Sequence, residues 1–312
     1  MKRALVLLAL LTGCRARDTR RLVAVIIPSQ DNPYFKAEGD AAAARAEALG
    51  YRARVDAHND DAYRQDNLID AAIASNAAVL ILDNAGTDAS VSAVRRAAQA
   101  GIAVFLVDRE ITARGLAKAQ IVSDNDQGAR IVADEFDRAL HAGAPPNAKL
   151  EYAELLGRES DTNAQVRTRG FHAVLDQDPS LTRAAAQSAN WDQAQAFSKT
   201  ETILQAHANI RGIIAGNDTM ALGAAAAIKS AGLKNITLTG FDGSPDAVAA
   251  IESGAMQATS LQPAVLIAQL AMDEADQFLK TGSTGKPEMQ VIPCDLVTKQ
   301  NAANYIGFEK KQ

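Results

Sequence analysis

Short strand-like runs alternate with longer Ala-rich helical runs along most of this chain. The run Leu22–Pro28 is continuously apolar, as expected for a parallel strand covered by helices on both faces. A helical segment over Tyr34–Leu49 follows, and Gly50 occupies a position typical of a helix end. The next predicted elements are strands over Tyr51–Asp56, Ala78–Leu82 and Ile102–Val107, and helices over Arg64–Ser75 and Val91–Ala100. This order predicts an α/β fold with a doubly wound parallel sheet.

The same alternation restarts after Ile121–Val122. The predicted strands there are Lys149–Leu155, Gly212–Ala215 and Ile236–Gly240, and the predicted helices are Asp126–Ala142, Asn163–Leu175, Gln193–Ala206, Asp218–Ala231 and Ser244–Ser253. The second half therefore repeats the first in architecture, without visible sequence identity. Two open α/β sheets predict two lobes, with a ligand cleft between them at the carboxyl ends of the strands.

Polar and aromatic residues collect directly after the predicted strands, where such a cleft would lie. These residues are Asn32, Tyr34 and Phe35 after the first strand, Asp108 and Arg109 after the fourth, and Asn217, Asp242 and Gln262 after strands of the second half. A random scatter of polar residues would rarely place them after five separate strands. We therefore expect them to form one site.

The first residues have the pattern of an export signal. Lys2 and Arg3 precede the apolar run Ala4–Leu11, which is too short to span a bilayer but fits a secretory signal. The next residues, Leu-Thr-Gly-Cys14, resemble the lipobox of bacterial lipoproteins, which implies cleavage before Cys14 and acylation of that cysteine. The alternative is an ordinary signal peptide with an incidental cysteine. We expect residues 1–13 to be a signal peptide and residues 14–21 a lipidated tether.

Charge and cysteine content exclude several classes of protein. Without residues 1–13 the formal charge moves from −5 to −7, because Lys2 and Arg3 are lost and no acidic residue is. An acidic chain without a Lys/Arg cluster does not predict nucleic-acid binding. Cys294 is the only cysteine besides Cys14, so no intramolecular disulfide is expected in the lipidated protein. A chain of this length can bury enough core without one.

Several short motifs together resemble the bacterial periplasmic sugar-binding proteins of ABC importers, of the ribose-binding type. They are Asn32-Pro33-Tyr34-Phe35, Asp108-Arg109, Ser123-Asp124-Asn125, Ala215-Gly216-Asn217-Asp218, Gly240-Phe241-Asp242-Gly243 and Gln262-Pro263. The resemblance extends from Leu22 to about Lys299. It implies two lobes joined by a three-crossover hinge, an N-terminal lobe of residues 22–123 and 263–295, and a C-terminal lobe of 124–262 and 296–312.

The function that this resemblance implies is capture of a monosaccharide and its delivery to an ABC permease and ATPase, by a monomer without cofactor or metal. Sugar hydroxyls both donate and accept hydrogen bonds, so Asp, Asn, Gln and Arg side chains suit them. Asp108 and Arg109 fit as a carboxylate and guanidinium pair. By the resemblance, Tyr34 and Phe35 lie on one face of the sugar and Trp191 lies on the opposite face.

One position departs from the family pattern. Ribose-type members carry an arginine six residues before the Phe of a Gly-Phe pair, and here that position is Gln165. Arg167 matches a second family arginine that is usually structural. A neutral amide in place of a charged fork predicts a ligand other than ribose, which leaves a related pentose, a hexose or a short polyol. Asn163 and Ser160 are further candidates for the same side of the cleft.

Structural roles are the alternatives for the same residues. Asp108 and Arg109 could form a surface ion pair, Trp191 could fill the core of the second lobe, and Tyr34 could lie on the outside of its helix. Asn217 could cap a helix, which is compatible with binding. Asp242-Gly243 could be a simple turn, and Gln262-Pro263 an ordinary strand-to-helix junction.

The sequence favours a binding protein over an enzyme or a regulator. The four histidines show no metal-ligand spacing, and no G-x-S-x-G motif is present. A sugar-responsive transcriptional regulator would carry a DNA-binding segment where this chain has its signal sequence. A sensory role, in which the same lobes are presented to a chemoreceptor or sensor kinase, remains the alternative to transport.

Overall fold

The computed structural model describes residues 18–142 and 144–311, so the predicted signal peptide, Cys14 and part of the tether lie outside the described residues. The helices are α1 (Pro33–Ala48), α2 (Ala62–Ala74), α3 (Val91–Gln99), α4 (Asn125–His141), α5 (Thr162–Leu175), α6 (Gln193–Ala206), α7 (Asp218–Ser230), α8 (Pro245–Ser253) and α9 (Ala264–Thr281). The strands are β1 (Leu22–Ile27), β2 (Arg52–Ala57), β3 (Val79–Leu82), β4 (Ala103–Val107), β5 (Ala119–Ser123), β6 (Leu150–Leu156), β7 (Leu181–Ser188), β8 (Ile210–Ala215), β9 (Thr237–Asp242), β10 (Ala258–Leu261), β11 (Met289–Ile292), β12 (Asp295–Thr298), β13 (Tyr305–Ile306) and β14 (Glu309–Lys310).

The strands form two six-stranded sheets and one short hairpin. The first sheet has the order β11-β5-β4-β3-β1-β2 and is parallel throughout. The second has the order β12-β10-β9-β8-β6-β7 and is parallel except for β12, which pairs antiparallel with β10. The predicted α/β fold with two doubly wound sheets is confirmed.

Each sheet is buried by helices on both faces, which explains the apolar strands. In the first sheet, every residue of β1, β3 and β4 is buried. Helices α1 and α9 pack on one face of this sheet, and α2 and α3 pack on the other. In the second sheet, α4 and α5 cover one face and α6, α7 and α8 cover the other. Parallel strands buried on both faces have no solvent side, so they show no polar alternation.

The chain passes between the two sheets at three places: between β5 and α4, between β10 and α9, and between β11 and β12. The first and third passages are hydrogen-bonded to each other. The Gln127 side chain accepts from the backbone N–H of Cys294 at 2.9 Å and donates to the carbonyl of the same residue at 3.1 Å. The N–H of Asp124 donates to the carbonyl of Ile292 at 2.7 Å.

The structure contains several elements that were not predicted from the sequence, including strands β7 and β11–β14 and helix α9. Strand β7 was not predicted, because its sequence LTRAAAQS has few strand-forming residues and lies at a half-exposed edge. Helix α9 was also absent from the predicted elements. Asp295, expected in the N-terminal lobe, begins β12 and pairs with Leu261 of the second sheet. Within the described ranges, no helix combines the length and apolarity needed to cross a membrane.

Candidate ligand-binding cleft

The carboxyl ends of the two sheets face each other across a small cavity. Its lining residues come from both lobes: Asn32, Tyr34, Phe35, Asp108, Arg109, Asp161, Asn163, Arg167, Trp191, Asn217, Asp242 and Gln262. Nine of the ten residues predicted for the site are in this set, and Gln165 is the exception. The strands bring these side chains together because parallel strands end at the same edge of a sheet. Their role in binding remains a prediction.

Gln165 does not line the cavity, unlike the other nine residues predicted for the site. It lies on the exposed side of α5, where its Nε2 donates to the carbonyl of Glu159 at 3.0 Å. Asn163 and Arg167 are four residues apart on the same helix and both face the cavity. Residues at i and i+4 share a helix face, whereas a residue midway between them points away. Ser160, the other candidate in this region, lines a smaller neighbouring cavity instead.

Arg167 occupies the place that the sequence analysis gave to Gln165. Its Nε donates to Oδ1 of Asn125 at 2.7 Å, and its Nη1 donates to the carbonyl of Gly216 at 2.9 Å. The same Nη1 lies 3.5 Å from Oδ1 of Asp242. The guanidinium also stacks over Phe241, with 4.0 Å from Cζ to the ring centroid. These contacts hold a rigid charged fork at the wall of the cavity.

Arg109 is enclosed by carboxylates from both lobes. Its Nη1 donates to Oδ1 of Asp60 at 2.9 Å, and its Nε lies 2.9 Å from Oδ2 of Asp161, across the cleft. Asp83 and Asp108 lie 3.5 and 3.9 Å from the same nitrogen. Only 4% of the Arg109 side chain is exposed, which excludes a surface ion pair with Asp108. Asp60 and Asp83 were not predicted, since neither lines the cavity itself.

Asp108 connects the two lobes through its own contacts. The Tyr34 hydroxyl donates to its Oδ1 at 3.2 Å, and Nδ2 of Asn163 donates to its Oδ2 at 3.3 Å and to its carbonyl at 3.2 Å. Burial raises the pKa of Asp108, although Arg109 and Arg167 oppose the shift. The residue has a φ of 57°, a sparsely populated conformation that recurs at functional sites.

Asp242 and Gln262 form the hinge side of the cavity. Nε2 of Gln262 donates to Oδ1 of Asp242 at 2.8 Å, and both side chains are buried. Oε1 of Gln262 has no partner among the described residues, so an acceptor remains available to a ligand. Asp242 has a φ of 129°, and burial raises its pKa well above the ordinary value. Position 242 is therefore more than an ordinary turn.

Three aromatic rings line the cavity, two from the first lobe and one from the second. Tyr34 and Phe35 meet edge to face, with ring centroids 5.6 Å apart. Trp191, in the second lobe, donates from Nε1 to Oδ2 of Asp161 at 3.1 Å. Its indole also belongs to the core of that lobe, so the structural and site roles coincide. Tyr34 is buried, which excludes the outer face of α1.

Several polar residues of the cleft also cap helices. Oδ1 of Asn32 accepts from the N–H of Tyr34 at 3.0 Å, Oδ1 of Asp161 accepts from that of Asn163 at 2.9 Å, and Oδ1 of Asn217 accepts from that of Met220 at 2.9 Å. Capping fixes each side chain and leaves its other polar atom for further bonds. The helix-cap interpretation of Asn217 is therefore correct alongside its place in the cavity. Asp161 could have been found from the sequence, because an Asp directly before an apolar helix is a cap signal.

One group of possible metal ligands occurs among the described residues, away from the cleft. Asp137, His141 and Asp178 place ligand atoms within 4.8 Å of one another. His141 Nε2 lies 2.7 Å from Asp178 and 3.4 Å from Asp137, as expected for an exposed ion-pair cluster. None of the three lines the cavity.

Comparison with known proteins identifies the family. The model of the periplasmic binding protein domain matches residues 23–284. The chain is 52% identical to a D-apiose import binding protein of Paraburkholderia graminis, over 96% of this chain and 95% of that protein. It is 33% identical to a ribose import binding protein of Haemophilus influenzae, over 93% and 94%.

A solved structure supports the same relationship. The D-allose-bound solute-binding protein of an ABC transporter from Actinobacillus succinogenes superposes with a TM-score of 0.83 at 26% identity, covering 92% of this chain and all of that one. These relatives are binding proteins of importers, which confirms the prediction of a binding protein rather than an enzyme. The chain therefore belongs to the periplasmic binding protein family.

Proposed function

We propose that this protein is the receptor of an ABC importer and that its ligand is D-apiose or a closely related pentose. The observation that carries the proposal is the closed polar cavity between the lobes, with carboxylates, amides and guanidinium groups around its edge and aromatic rings on two sides. The 52% identity to a D-apiose import binding protein supports this choice of sugar. That relative is an import protein, so transport is favoured over a sensory role.

The chemistry of the cavity suits a small neutral sugar. D-Apiose is a branched pentose whose furanose ring carries hydroxyl groups on three carbons, a hydroxymethyl branch on one of them and a methylene group beside the ring oxygen. Asp108 and Asp242 would accept hydroxyl protons, Arg109 and Arg167 would donate, and the rings of Phe35 and Trp191 would cover the C–H surfaces. The cavity between the closed lobes is small, which favours a monosaccharide over an oligosaccharide.

Both lobes contribute to the cavity, so ligand binding would favour the closed arrangement. In an open cleft a sugar would contact only one set of groups, and the closed form alone would satisfy both. We place the lobe boundaries at the three chain passages, with residues 22–123 and 263–294 in one lobe and 124–262 and 295–311 in the other. The closed lobes would then dock on the permease, and its ATPase would drive transport.

Calorimetric titration with a sugar panel tests the ligand assignment. We expect D-apiose to bind at least roughly tenfold more tightly than D-ribose, L-arabinose or myo-inositol, because a cavity built for one hydroxyl pattern leaves buried groups unpaired with another. Asp108→Asn should abolish measurable binding while circular dichroism shows an intact fold. Equal affinity for all four ligands would contradict the assignment to D-apiose, and wild-type affinity in Asp108→Asn would contradict the site.

For the cellular location, we propose export and lipid attachment through Cys14, with the folded chain acting as a monomer. The support is the charged, apolar and Leu-Thr-Gly-Cys14 sequence, together with a family whose members bind solutes outside the cytoplasm. Cells treated with globomycin should accumulate the uncleaved precursor. Processing that continues unchanged in globomycin, or after Cys14→Ser, would indicate an ordinary signal peptide.

A further inference from the structure

Asp60 lies in the turn after β2, where a buried histidine holds its backbone. Asn59 and Asp60 each have a φ of 55°, in the left-handed region that Asn and Asp tolerate. Nδ1 of His58 accepts the N–H of Asp60 at 3.0 Å, so Nε2 carries the ring proton and donates to the carbonyl of Asp83 at 2.8 Å. The ring therefore ties this turn to the end of β3 and fixes the Asp60 side chain on the first lobe.

The Asp60 carboxylate contacts an arginine from each lobe. Nη1 of Arg109, in its own lobe, donates to Oδ1 at 2.9 Å. Nη2 of Arg158, which follows β6 in the second lobe, donates to Oδ2 at 3.2 Å. One carboxylate thus bridges the cleft.

The surroundings make this more than a surface contact. The Asp60 side chain is 12% exposed and that of Arg158 is 36% exposed, so the pair is screened less than an exposed pair. Desolvation by burial raises the pKa of Asp60, but the charges of Arg109 and Arg158 outweigh it and hold the pKa below its ordinary value.

The Asp60–Arg158 contact adjoins the candidate ligand cavity through Arg109 but does not itself line that cavity. Neither Asp60 nor Arg158 lines the candidate ligand cavity, and both line a neighbouring cavity that shares only Arg109 and Asp161 with it. The hydroxyls of Thr87 and Thr162 meet across the same region at 3.2 Å. The Asp60–Arg158 pair can therefore be changed without removing a group that lines the ligand cavity.

We propose that the Asp60–Arg158 ion pair is a latch between the lobes that prolongs the residence of the bound sugar. This inference rests on the proposed function in taking a sugar as the ligand that the closed lobes retain. The two residues belong to different lobes, so opening separates them and the pair stabilises only the closed form. Its free energy therefore appears mainly in the rate at which the ligand leaves.

The test compares Arg158→Gln with a matched control, Arg130→Gln. Arg130 is an exposed arginine of the same lobe that pairs with Asp126 four residues away on its own helix. Stopped-flow measurement of D-apiose dissociation, followed by Trp191 fluorescence, should give a rate roughly fivefold faster in Arg158→Gln and unchanged in Arg130→Gln. In an Asp60→Asn background, Arg158→Gln should add no further increase. Equal dissociation rates in Arg158→Gln and Arg130→Gln would overturn the latch. So would an Arg158→Gln effect that is as large in the Asp60→Asn background as in the wild type.

A ligand-free measurement separates failure of the latch from failure of the sugar assignment. Spin labels at exposed positions Tyr63 and Gln205, one on each lobe, report the interlobe distance by pulsed electron paramagnetic resonance in protein carrying Cys14→Ser. Suppose that no sugar in the panel binds. The latch is still supported if a fraction of the molecules shows a shorter interlobe distance and if that fraction is smaller in Arg158→Gln but unchanged in Arg130→Gln. Identical distance distributions in that case would overturn it.

Discussion

Two positions on α5 illustrate how much depends on a single side chain. Arg167 is buried beside Asp242, Asn125 and the ring of Phe241, whereas Gln165 lies on the opposite, exposed side of the helix. A guanidinium held in this way offers fixed donors to a hydroxylated ligand. Arg167, two residues after Gln165, thus supplies a guanidinium group to the cavity. The glutamine at position 165 is therefore no argument against ribose or any other pentose as the ligand.

Exchanging these two residues in turn tests that assignment. Arg167→Gln should weaken sugar binding roughly 10- to 100-fold, because it removes charged donors and leaves the buried Asp242 without a cationic partner. Gln165→Ala should leave the affinity unchanged. Calorimetric titration of both variants, with thermal melts to confirm folding, provides the measurement. A larger loss of affinity in Gln165→Ala than in Arg167→Gln would show that Gln165, as predicted from the sequence, is the residue that contacts the sugar.

His58 predicts a pH dependence of stability. Desolvation by burial lowers its pKa to about 4, against an ordinary value of 6.5. Between these values the unfolded chain takes up a proton that the folded chain does not, so the free energy of unfolding should fall as the pH falls from 6.5 to 4 and this contribution should level off below. Urea unfolding at pH 7, 5 and 4 should show a smaller decrease in His58→Asn than in the wild type. A ring that titrates near 6.5 in the native protein, by NMR, would contradict this.

At the scale of elements, the end of β6 and the turn before α6 are shaped around one indole. A Cβ on Gly157 would lie 2.0 Å from Cη2 of Trp191, so only glycine leaves room for the ring. Trp191 itself has a φ of 66°, which a bulky residue adopts only where packing and hydrogen bonds hold it. The strand end and the turn therefore act together to place this aromatic wall.

Gly157→Ala should displace the indole and weaken sugar binding about 5- to 100-fold, the range expected for overpacking. Trp191 is the only tryptophan, so its emission reports the displacement directly without ligand. Gly254→Ala is the matched control, because Gly254 ends α8 with a φ of 82° and nothing within 4 Å of the added Cβ. That control should lower stability and leave the emission and affinity unchanged. An emission spectrum like that of the wild type in Gly157→Ala would contradict the prediction, because it would show that the added methyl group does not displace the indole of Trp191.

At the scale of the whole molecule, the cleft between the lobes holds more carboxyl groups than guanidinium groups, and both guanidinium groups are already paired. Asp108, Asp161 and Asp242 line the cavity with two arginines, and each guanidinium has a carboxylate within 4 Å. Closure buries these groups together, and a ligand charge that found no partner there would be energetically unfavourable. The lobes are thus suited to close on a ligand without charge.

Sugar acids should therefore be excluded. The aldonic acid of D-apiose should bind at least roughly tenfold more weakly than the corresponding alditol, since the acid meets carboxylates and finds no unpaired guanidinium. The alditol is the matched control, because both compounds lack the ring and only the acid is charged at neutral pH. Competition titrations against D-apiose measure both affinities. Equal binding of the acid and the alditol would show that a cationic group remains available.

Local sequence patterns are sufficient to predict the two doubly wound sheets and most residues of the cleft. Apolar runs without polar alternation specify strands buried on both faces, and chain direction then places every residue after such a strand at one edge. Asn32, Asp108, Asn217, Asp242 and Gln262 could be assigned for this reason, since each depends only on the end of its own strand.

Which groups meet across the cleft depends on how distant elements pack together. The side of α5 that faces the cavity depends on how the helix packs, so Arg167 and Asn163 could not be separated from Gln165 by counting. The carboxylates around Arg109 come from separate loops: Asp60 reaches it from within the same lobe, and Asp161 meets it only when the lobes are together. Strand β7 likewise gains its structure from pairing with β6 rather than from its own composition. Local pattern specifies where an element ends, whereas contacts between distant elements depend on packing that no single segment encodes.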